Sequence, residues 1–346
     1  MSVPIVRVAG WPRERGRAVG AALTEPINRS LAFLRRFLER RGAEMADLPN
    51  VLEPYRRALM AARPSLVAEI DGMAEGAGVS EWELFAANTL EELEAVLPEP
   101  VGIERCTAFA LAGPEGTILA HNEQWYAADQ GNVAVVVARP TLGPAFASPT
   151  VAPFLPAVGM NASGMAQGVM SLSHRDDDGG VPRVPVSRLA LQARDPEDAF
   201  RRITLPGRSG GYAYVLAQAG GWTDMFETTA TSIAQWPGEL AAHTNHYLAP
   251  PLAEGGWVHP GSVSRLDRLR QLLAERDPRT PREAMDVLRD HEGEPQAICA
   301  HPDPADEESA AIVFSLVCHL ESRRMWVAAG NPCVEPFEEI DLPEVA

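Results

Sequence analysis

Cys106 is the residue whose position most directly suggests chemistry. It follows Arg105 and opens the first segment with a strand-like pattern, residues 107–111. Cleavage of the Arg105–Cys106 bond would give Cys106 a thiol nucleophile and a base, its own α-amine, in one residue. The reference pKa of such an amine, near ~8, lets it take a proton at neutral pH. The alternative is that Cys106 is a small buried hydrophobic residue, as most free cysteines are.

A polar segment downstream could lie beside this thiol. Residues 121–125, His-Asn-Glu-Gln-Trp, end the second strand of a predicted hairpin that starts at Cys106. Because side chains alternate along a strand, Asn122 and Gln124 should share one face and Glu123 the other. The alternative is simply a polar strand end.

Two further segments carry neutral amides that could stabilise an oxyanion. Residues 159–169 place Asn161 in a glycine-punctuated turn, and residues 243–248 place Asn245 between a threonine and a histidine. An amide donor stabilises developing negative charge without titrating. For Asn161 the alternative is an ordinary hairpin turn, in which Asn and Gly are common.

A metal hydrolase is a different chemical alternative. It would use His243 and His246, with His301 and Asp303. Neither an H-E-x-x-H helix nor a C-x-x-C pair supports that set. The sequence around Cys106 also lacks the papain-type signature. We therefore expect no metal and no cofactor.

The composition excludes several classes of protein and of chemistry. The 346 residues are 46% hydrophobic, enough for one large core or two modest ones. A net charge of −17 disfavours nucleic acid and anionic membranes as partners. The chain contains no lysine. Lysine aldimines, Schiff-base lyase chemistry, P-loop and kinase lysines and Ser–Lys dyads are therefore excluded.

The chain also shows no segment typical of secretion or of membrane insertion. No basic and apolar signal sequence and no apolar run of ~20 residues occurs. The four cysteines lack the density of a disulfide framework. A cytoplasmic location is the expectation.

The periodicity of apolar residues changes near Cys106. Residues 11 to 96 predict helices without a cluster of catalytic residue types, and strands are predicted from residue 107 onward. The predicted strands are residues 107–111, 117–121, 133–138, 165–172, 212–217, 224–229, 311–318 and 325–329, and the later helices are 186–194, 196–203, 263–276 and 281–290. This grouping favours an α+β fold of antiparallel sheets with outer helical layers.

The order of these motifs resembles a known family. Residues 105–107 (Arg-Cys-Thr), 121–125, 159–164 and 244–246, with the tail from Phe314 to Cys333, are similar to the autoproteolytic acyltransferase/hydrolase family of N-terminal-nucleophile enzymes. That family includes acyl-coenzyme A:6-aminopenicillanic acid acyltransferase and β-alanyl-amine hydrolase. The choloylglycine hydrolases are more distantly similar. The resemblance covers most of the chain beyond residue 100.

The resemblance implies a four-layer αββα sandwich with a helical pro-segment. Residues 1–105 would form the α chain of a zymogen and residues 106–346 the catalytic β chain, separated by self-cleavage between Arg105 and Cys106. The two fragments would stay associated.

The resemblance also implies roles for individual residues. Cys106 would be the nucleophile, Asn245 the oxyanion donor, and Asn161 a second catalytic asparagine. Gln124 stands where family members commonly carry an Asp that holds the new α-ammonium. Glu123 is one residue away and should face away from that α-ammonium. The substrate-binding candidates complete the set: His121, Asn122 and His246.

The sequence thus predicts a cysteine amidohydrolase or acyltransferase that acts on an N-acylated small molecule or peptide-like amide through an acyl-thioester. Acyl-coenzyme A is a candidate co-substrate. Two alternatives stay open: a non-cleaving, ligand-binding descendant of the same fold, and an unrelated cysteine peptidase or metal hydrolase.

Overall fold

The computed structural model describes residues 2–96, 106–235 and 240–342. Arg105 lies outside these ranges. The helices of the described residues are α1 Pro12–Ala22, α2 Thr24–Arg40, α3 Leu48–Ala62, α4 Pro64–Ala77, α5 Glu81–Ala87, α6 Leu90–Val96, α7 Arg183–Ala190, α8 Pro196–Ile203, α9 Pro250–Ala253, α10 Pro260–Arg276 and α11 Pro281–Leu288. The helical character expected between residues 11 and 96 is thereby confirmed.

The strands form one eight-stranded and one six-stranded sheet. They are β1 Ile5–Gly10, β2 Thr107–Gly113, β3 Gly116–Tyr126, β4 Val133–Pro140, β5 Phe146–Val151, β6 Gly159–Asn161, β7 Met165–Leu172, β8 Gly211–Gln218, β9 Trp222–Thr228, β10 Ile233–Gln235, β11 Ala241–His243, β12 Ala310–His319, β13 Arg324–Ala328 and β14 Glu338–Asp341. The order in the larger sheet is β1-β4-β5-β6-β7-β8-β9-β10, and in the smaller one β11-β2-β3-β12-β13-β14.

The two sheets pack face to face. A Cβ added to Gly168 of β7 would lie 2.9 Å from Cβ of Ala108 in β2, so the sheets approach too closely there for any side chain. Helices α10 and α11 cover the outer face of the smaller sheet, where Leu269 and Leu288 join Phe109 in one apolar cluster. Helix α7 covers the larger sheet, since the Arg188 guanidinium lies over the Phe146 ring. The predicted α+β sandwich of two sheets between helical layers is confirmed.

The helices that precede residue 97 pack closely because glycines allow it. A Cβ on Gly16 of α1 would lie 2.0 Å from the carbonyl oxygen of Glu69, and one on Gly72 of α4 would lie 2.3 Å from that of Arg13. Neither helix could approach the other with a larger residue at these positions. Helix α4 begins at Pro64 and is closed by Gly78 at a φ of +68°, a conformation that suits glycine.

These helices share a core with the rest of the chain. Strand β1 pairs in parallel with β4, and the sequence analysis missed it. Glu69 of α4 lies 2.7 Å from Arg15 and 3.2 Å from Arg188, and all three charged side chains are buried. Phe37 of α2 and Tyr126 of β3 lie in the same buried apolar cluster, so separating these segments would expose apolar surface to water.

Among the described helices, none has the length and apolar composition needed to cross a membrane.

Candidate active site

Cross-strand pairing aligns the side chains of Cys106, Glu123 and Phe314 in one row at the start of β2. Thr107 pairs with Asn122 of β3, so Cys106, one residue earlier, falls opposite Glu123. Glu123 is paired in turn with Phe314 of β12. This row lies on the inner face of the smaller sheet, between the two sheets.

The Cys106 thiol contacts a carboxylate within this row. Its Sγ lies 3.2 Å from Oε1 of Glu123, whose Oε2 is 2.9 Å from Nε2 of His121. The His121 side chain is fully buried, whereas that of Glu123 is 19% exposed. One carboxylate therefore accepts from both the thiol and the imidazole, and part of it faces solvent.

The expectation that Glu123 faces away from the site was wrong. It faces away from Gln124, as strand alternation requires, but the face it occupies is that of Cys106. Gln124 lies on the other face, that of Asn122, where its Oε1 is buried and accepts no hydrogen bond from the described residues. The catalytic role of Gln124 stays a prediction, which this placement does not support.

Asn245 approaches the row from the neighbouring strand. His243, the last residue of β11, pairs with Ala108 of β2, and Asn245 follows two residues later, at the end of β2 from which Cys106 extends. Its Nδ2 donates to the carbonyl of Ser171, which is 3.0 Å away in the facing sheet. Its side chain therefore lies on the inner face, the same face as the thiol.

Helix α10 holds Asn245 in place. Oγ of Ser262 accepts from the backbone N–H of Asn245 at 2.7 Å, and Nη2 of Arg265 donates to its Oδ1 at 2.9 Å. A guanidinium on the carbonyl side of an amide makes its N–H a stronger donor. The second amide N–H of Asn245 has no acceptor among the described residues, so it is available to a substrate oxygen.

His246 lies behind Asn245 as a neutral side chain. Its Nδ1 is 2.8 Å from Oγ of Ser262. Burial, with the neighbouring His243, lowers the pKa of His246 to about 4. The imidazole is therefore uncharged at neutral pH, and its contact with Ser262 helps to position Asn245.

The remaining candidates from the sequence have structural contacts. Nδ2 of Asn122 donates to the carbonyls of Leu288 and Ile298 on the outer face of the sheet.

Asn161 has both its amide N–H groups and its Oδ1 occupied by the backbone of its own turn and of the 191–193 segment. Its catalytic role, like the substrate-binding roles of His121, Asn122 and His246, stays a prediction.

A largely apolar cleft opens beside the row. Glu123 and Phe314 form its wall on the smaller sheet, and Val151 and Val169 form it on the larger one. Phe154 closes one side. A carboxylate at the edge of an apolar cavity is the setting in which an acyl group can bind next to a reacting thiol.

The alternative metal site, which would join His243 and His246 with His301 and Asp303, does not form in the described residues. His243 Nε2 lies 2.7 Å from a Glu227 carboxylate oxygen, and His246 contacts Ser262. Neither histidine joins His301 and Asp303 in a group of converging ligand atoms. Cys106, His121 and Glu123 do converge to within 4.8 Å of one another. That set contains the proposed nucleophile.

The analysis of the sequence missed Glu123, Ser262 and Arg265 as members of the site. Glu123 could have been found, because pairing Thr107 with Asn122 in the predicted hairpin puts Glu123 beside Cys106. Ser262 and Arg265 carry no comparable signal, since they reach Asn245 only through the packing of α10 against β11.

Comparison with known proteins decides the family. The family model described as acyl-coenzyme A:6-aminopenicillanic acid acyl-transferase matches residues 111–333, nearly two thirds of the chain. The chain belongs to this family. The matched region includes Glu123 and Asn245 and begins after Cys106.

A curated relative in the same family is similar over nearly its whole length. It is the 40 kDa form of acyl-coenzyme A:6-aminopenicillanic-acid-acyltransferase from Emericella nidulans, 26% identical over 337 residues, which cover 94% of this chain and 92% of the relative.

Two solved structures are similar more distantly. A variant of conjugated bile acid hydrolase from Clostridium perfringens is 11% identical, with a TM-score of 0.48 over 69% of this chain and 98% of that one. Penicillin V acylase from Agrobacterium tumefaciens is 14% identical, with a TM-score of 0.43 over 68% of this chain and 86% of that one.

Proposed function

We propose that this chain cleaves itself before Cys106 and then acts as a cysteine N-terminal-nucleophile amidohydrolase or acyltransferase. The observation that carries the proposal is the inner-face row, in which the Cys106 thiol lies 3.2 Å from a Glu123 carboxylate oxygen. Membership of the acyltransferase family supports the reaction class.

In self-cleavage, Glu123 takes the thiol proton and the Cys106 thiolate attacks the carbonyl carbon of Arg105. The C–N bond breaks, the proton goes to the departing nitrogen, and a thioester joins Arg105 to Sγ. Water hydrolyses that thioester, which frees the thiol and leaves a carboxylate on Arg105. An adjacent base of this kind activates a nucleophile that is weak on its own.

In turnover, the freed α-amine of Cys106 serves as the base. The thiolate attacks the carbonyl of an N-acyl compound, and the amine of the substrate leaves with the proton. Asn245 donates its second amide N–H to the oxyanion, strengthened by the guanidinium of Arg265. While the α-amine carries the thiol proton, before the leaving amine takes it, the carboxylate of Glu123 holds the resulting α-ammonium by charge.

The acyl part of the substrate should be apolar. The cleft beside Glu123 is lined mostly by valine, leucine and aromatic side chains. Burying such a group gains about 25 cal/mol per Å² of apolar surface. Water as the acceptor gives hydrolysis and a second amine gives transfer. Acyl-coenzyme A would serve as a thioester donor to the same thiol.

The test is a panel of N-acyl amides and acyl-coenzyme A thioesters that differ in acyl chain, with release of amine or coenzyme A as the readout. Wild type and Cys318→Ala should turn over the same apolar members, because Cys318 is a buried thiol outside the row. Cys106→Ala should turn over none. Equal activity of Cys106→Ala and wild type would overturn the proposal.

A further inference from the structure

A second group of cysteine and histidine side chains lies outside the active site. His291, Cys299 and His301 come from the loop between α11 and β12, and Cys333 from the segment between β13 and β14. One ligand atom from each of the four lies within 4.8 Å of every other. The two segments are separated in sequence by β12 and β13.

Three of the separations within this group are close to those of a tetrahedral metal site. Nε2 of His291 is 3.1 Å from Nε2 of His301, and Nε2 of His301 is 3.2 Å from Sγ of Cys333. Sγ of Cys299 is 3.6 Å from Sγ of Cys333. Tetrahedral zinc with its usual bond lengths places two nitrogens about 3.3 Å apart, nitrogen and sulfur about 3.6 Å apart, and two sulfurs about 3.8 Å apart.

The surroundings hold these ligands in position. Nδ2 of Asn331 is 3.6 Å from Sγ of Cys299 and donates to the carbonyl of Ala300 at 2.8 Å. The backbone N–H of Cys299 donates to the carbonyl of Asp290, whose carboxylate is paired with Arg268. An N–H near a thiolate sulfur and an anchored ligand backbone are typical supports of metal sites.

We propose that His291, Cys299, His301 and Cys333 bind one structural zinc ion. Two imidazoles and two thiolates are a ligand set that zinc takes in structural sites, and four protein ligands leave no open position for a substrate or water. The site departs from the sequence-based expectation of no metal. That expectation rested on the absence of an H-E-x-x-H helix and of a C-x-x-C pair, whereas these ligands come from two loops.

The zinc joins the loop behind the catalytic strand to the segment after β13. The same loop presents the carbonyl of Ile298 to Nδ2 of Asn122, at 2.9 Å. Asn122 directly precedes Glu123 in β3. The metal therefore supports the outer side of the strand whose inner side carries the carboxylate next to Cys106.

The test measures metal directly and does not depend on activity. Wild type, purified from medium that contains zinc, should hold about one zinc ion per chain by elemental analysis. Cys333→Ser and His301→Ala should lose most of it, and both positions are exposed, so the substitutions open no cavity. Cys318→Ala and His319→Ala, which change a cysteine and a histidine outside the group, should keep it.

Cobalt(II) exchanged for zinc gives a second readout. Wild type should show the visible absorption of a tetrahedral cobalt site and a thiolate-to-cobalt band in the ultraviolet, and Cys333→Ser should lose intensity in the latter. Removal of zinc by a chelator should lower the melting temperature of wild type but not of Cys333→Ser.

Three results would overturn the proposal. The first is wild type that folds without zinc and takes up none when zinc is added. The second is a Cys299–Cys333 disulfide, found by mass after alkylation of wild type purified under reducing conditions. The third is equal zinc content in wild type, Cys333→Ser and His301→Ala. None of these results bears on self-cleavage at Cys106, so the two proposals fail independently.

Discussion

Two regions of this molecule place cysteine beside histidine, and they differ in every other respect. In the first, Cys106 and His121 lie on adjacent strands and share the carboxylate of Glu123. In the second, Cys333 and His301 lie in loops and converge with a second cysteine and a second histidine.

The difference shows how surroundings decide what a thiol can do. The strand row borders an apolar cleft and contains a proton acceptor, which suits a nucleophile that must react and be regenerated. The loop group has four soft donors and no carboxylate within it, which suits an ion that stays bound. Because both regions contain cysteine and histidine, residue types alone do not distinguish a nucleophilic thiol from a metal ligand.

The largest expected effects come from substituting one cysteine in each region and measuring both self-cleavage and zinc content in each variant. Cys106→Ala should abolish self-cleavage and turnover, because the nucleophile is gone, and leave the zinc content unchanged. Cys333→Ser should lose zinc and thermal stability and still cleave itself. Fragment pattern and elemental analysis of both variants decide it. If either substitution abolished both properties in a folded protein, the two regions would not be separate.

The next largest effect concerns the proton acceptor. Glu123→Gln keeps the size of the side chain and removes its charge, so self-cleavage should slow by about 10²–10⁴-fold, the usual contribution of a positioned base. Quenched samples of freshly synthesised protein, followed by mass spectrometry, give the rate. An unchanged rate would remove Glu123 from the chemistry.

Gln124→Asp is the matched control, because it places a carboxylate on the opposite face of the same strand. If Gln124 contacted the α-amine, the new charge would raise the pKa of that amine and move the acidic limb of the pH–rate profile up by about one unit at most. Because Glu123, and not Gln124, lies beside the thiol, we expect the acidic limbs of the pH–rate profiles of wild type and Gln124→Asp to coincide.

Two asparagines sharpen the comparison further. Asn245→Ala should cut turnover by about 10²–10³-fold, or roughly 2.7–4 kcal/mol in the barrier, the loss typical of one oxyanion donor. Asn161→Ala should show the reverse pattern, a lower free energy of unfolding with turnover nearly kept, because its polar atoms all bond to backbone. Turnover and urea denaturation of both variants test this. Near wild-type turnover of Asn245→Ala would give Asn245 a structural role.

The smallest expected effect is the pH dependence of stability from His246. Its pKa is about 4 in the folded protein and about 6.5 in an unfolded chain. Between these values the unfolded chain binds more protons, so the contribution of His246 is full above pH ~6.5 and is lost as the pH falls toward ~4.

His246→Asn should flatten this part of the curve of unfolding free energy against pH. Asp129 acts in the opposite direction, because burial raises its pKa to about 6 and its contribution is lost as the pH rises toward that value. The difference between wild type and His246→Asn isolates the histidine. Parallel curves would show that His246 titrates normally.

Much of this architecture was predictable from local pattern, and the exceptions have physical causes. The helices before residue 97 and the hairpin of β2 and β3 have clear periodicity. Strand β1 and the three-residue β11 have little pattern of their own and exist because a neighbouring strand pairs with them. Strand β11 is nevertheless the element that brings Asn245 to Cys106.

The site was predictable as far as single residues carry their own signal. Cys106 and Asn245 were predicted because they stand in recognisable segments, and in the structure both side chains lie on the inner face of the smaller sheet. Glu123 was assigned to the wrong side because its face was judged relative to Gln124 rather than to the thiol. The zinc ligands were missed because the four residues converge only in the tertiary structure.

The most direct test of the central claim is the N-terminal sequence of the purified protein. The account predicts two associated chains, the larger starting at Cys106 and the smaller ending at Arg105, and a single uncut chain for Cys106→Ala. The buried apolar core that the two fragments share should keep them together. A wild-type chain that stays uncut, or a larger fragment that starts at any other residue, would contradict it.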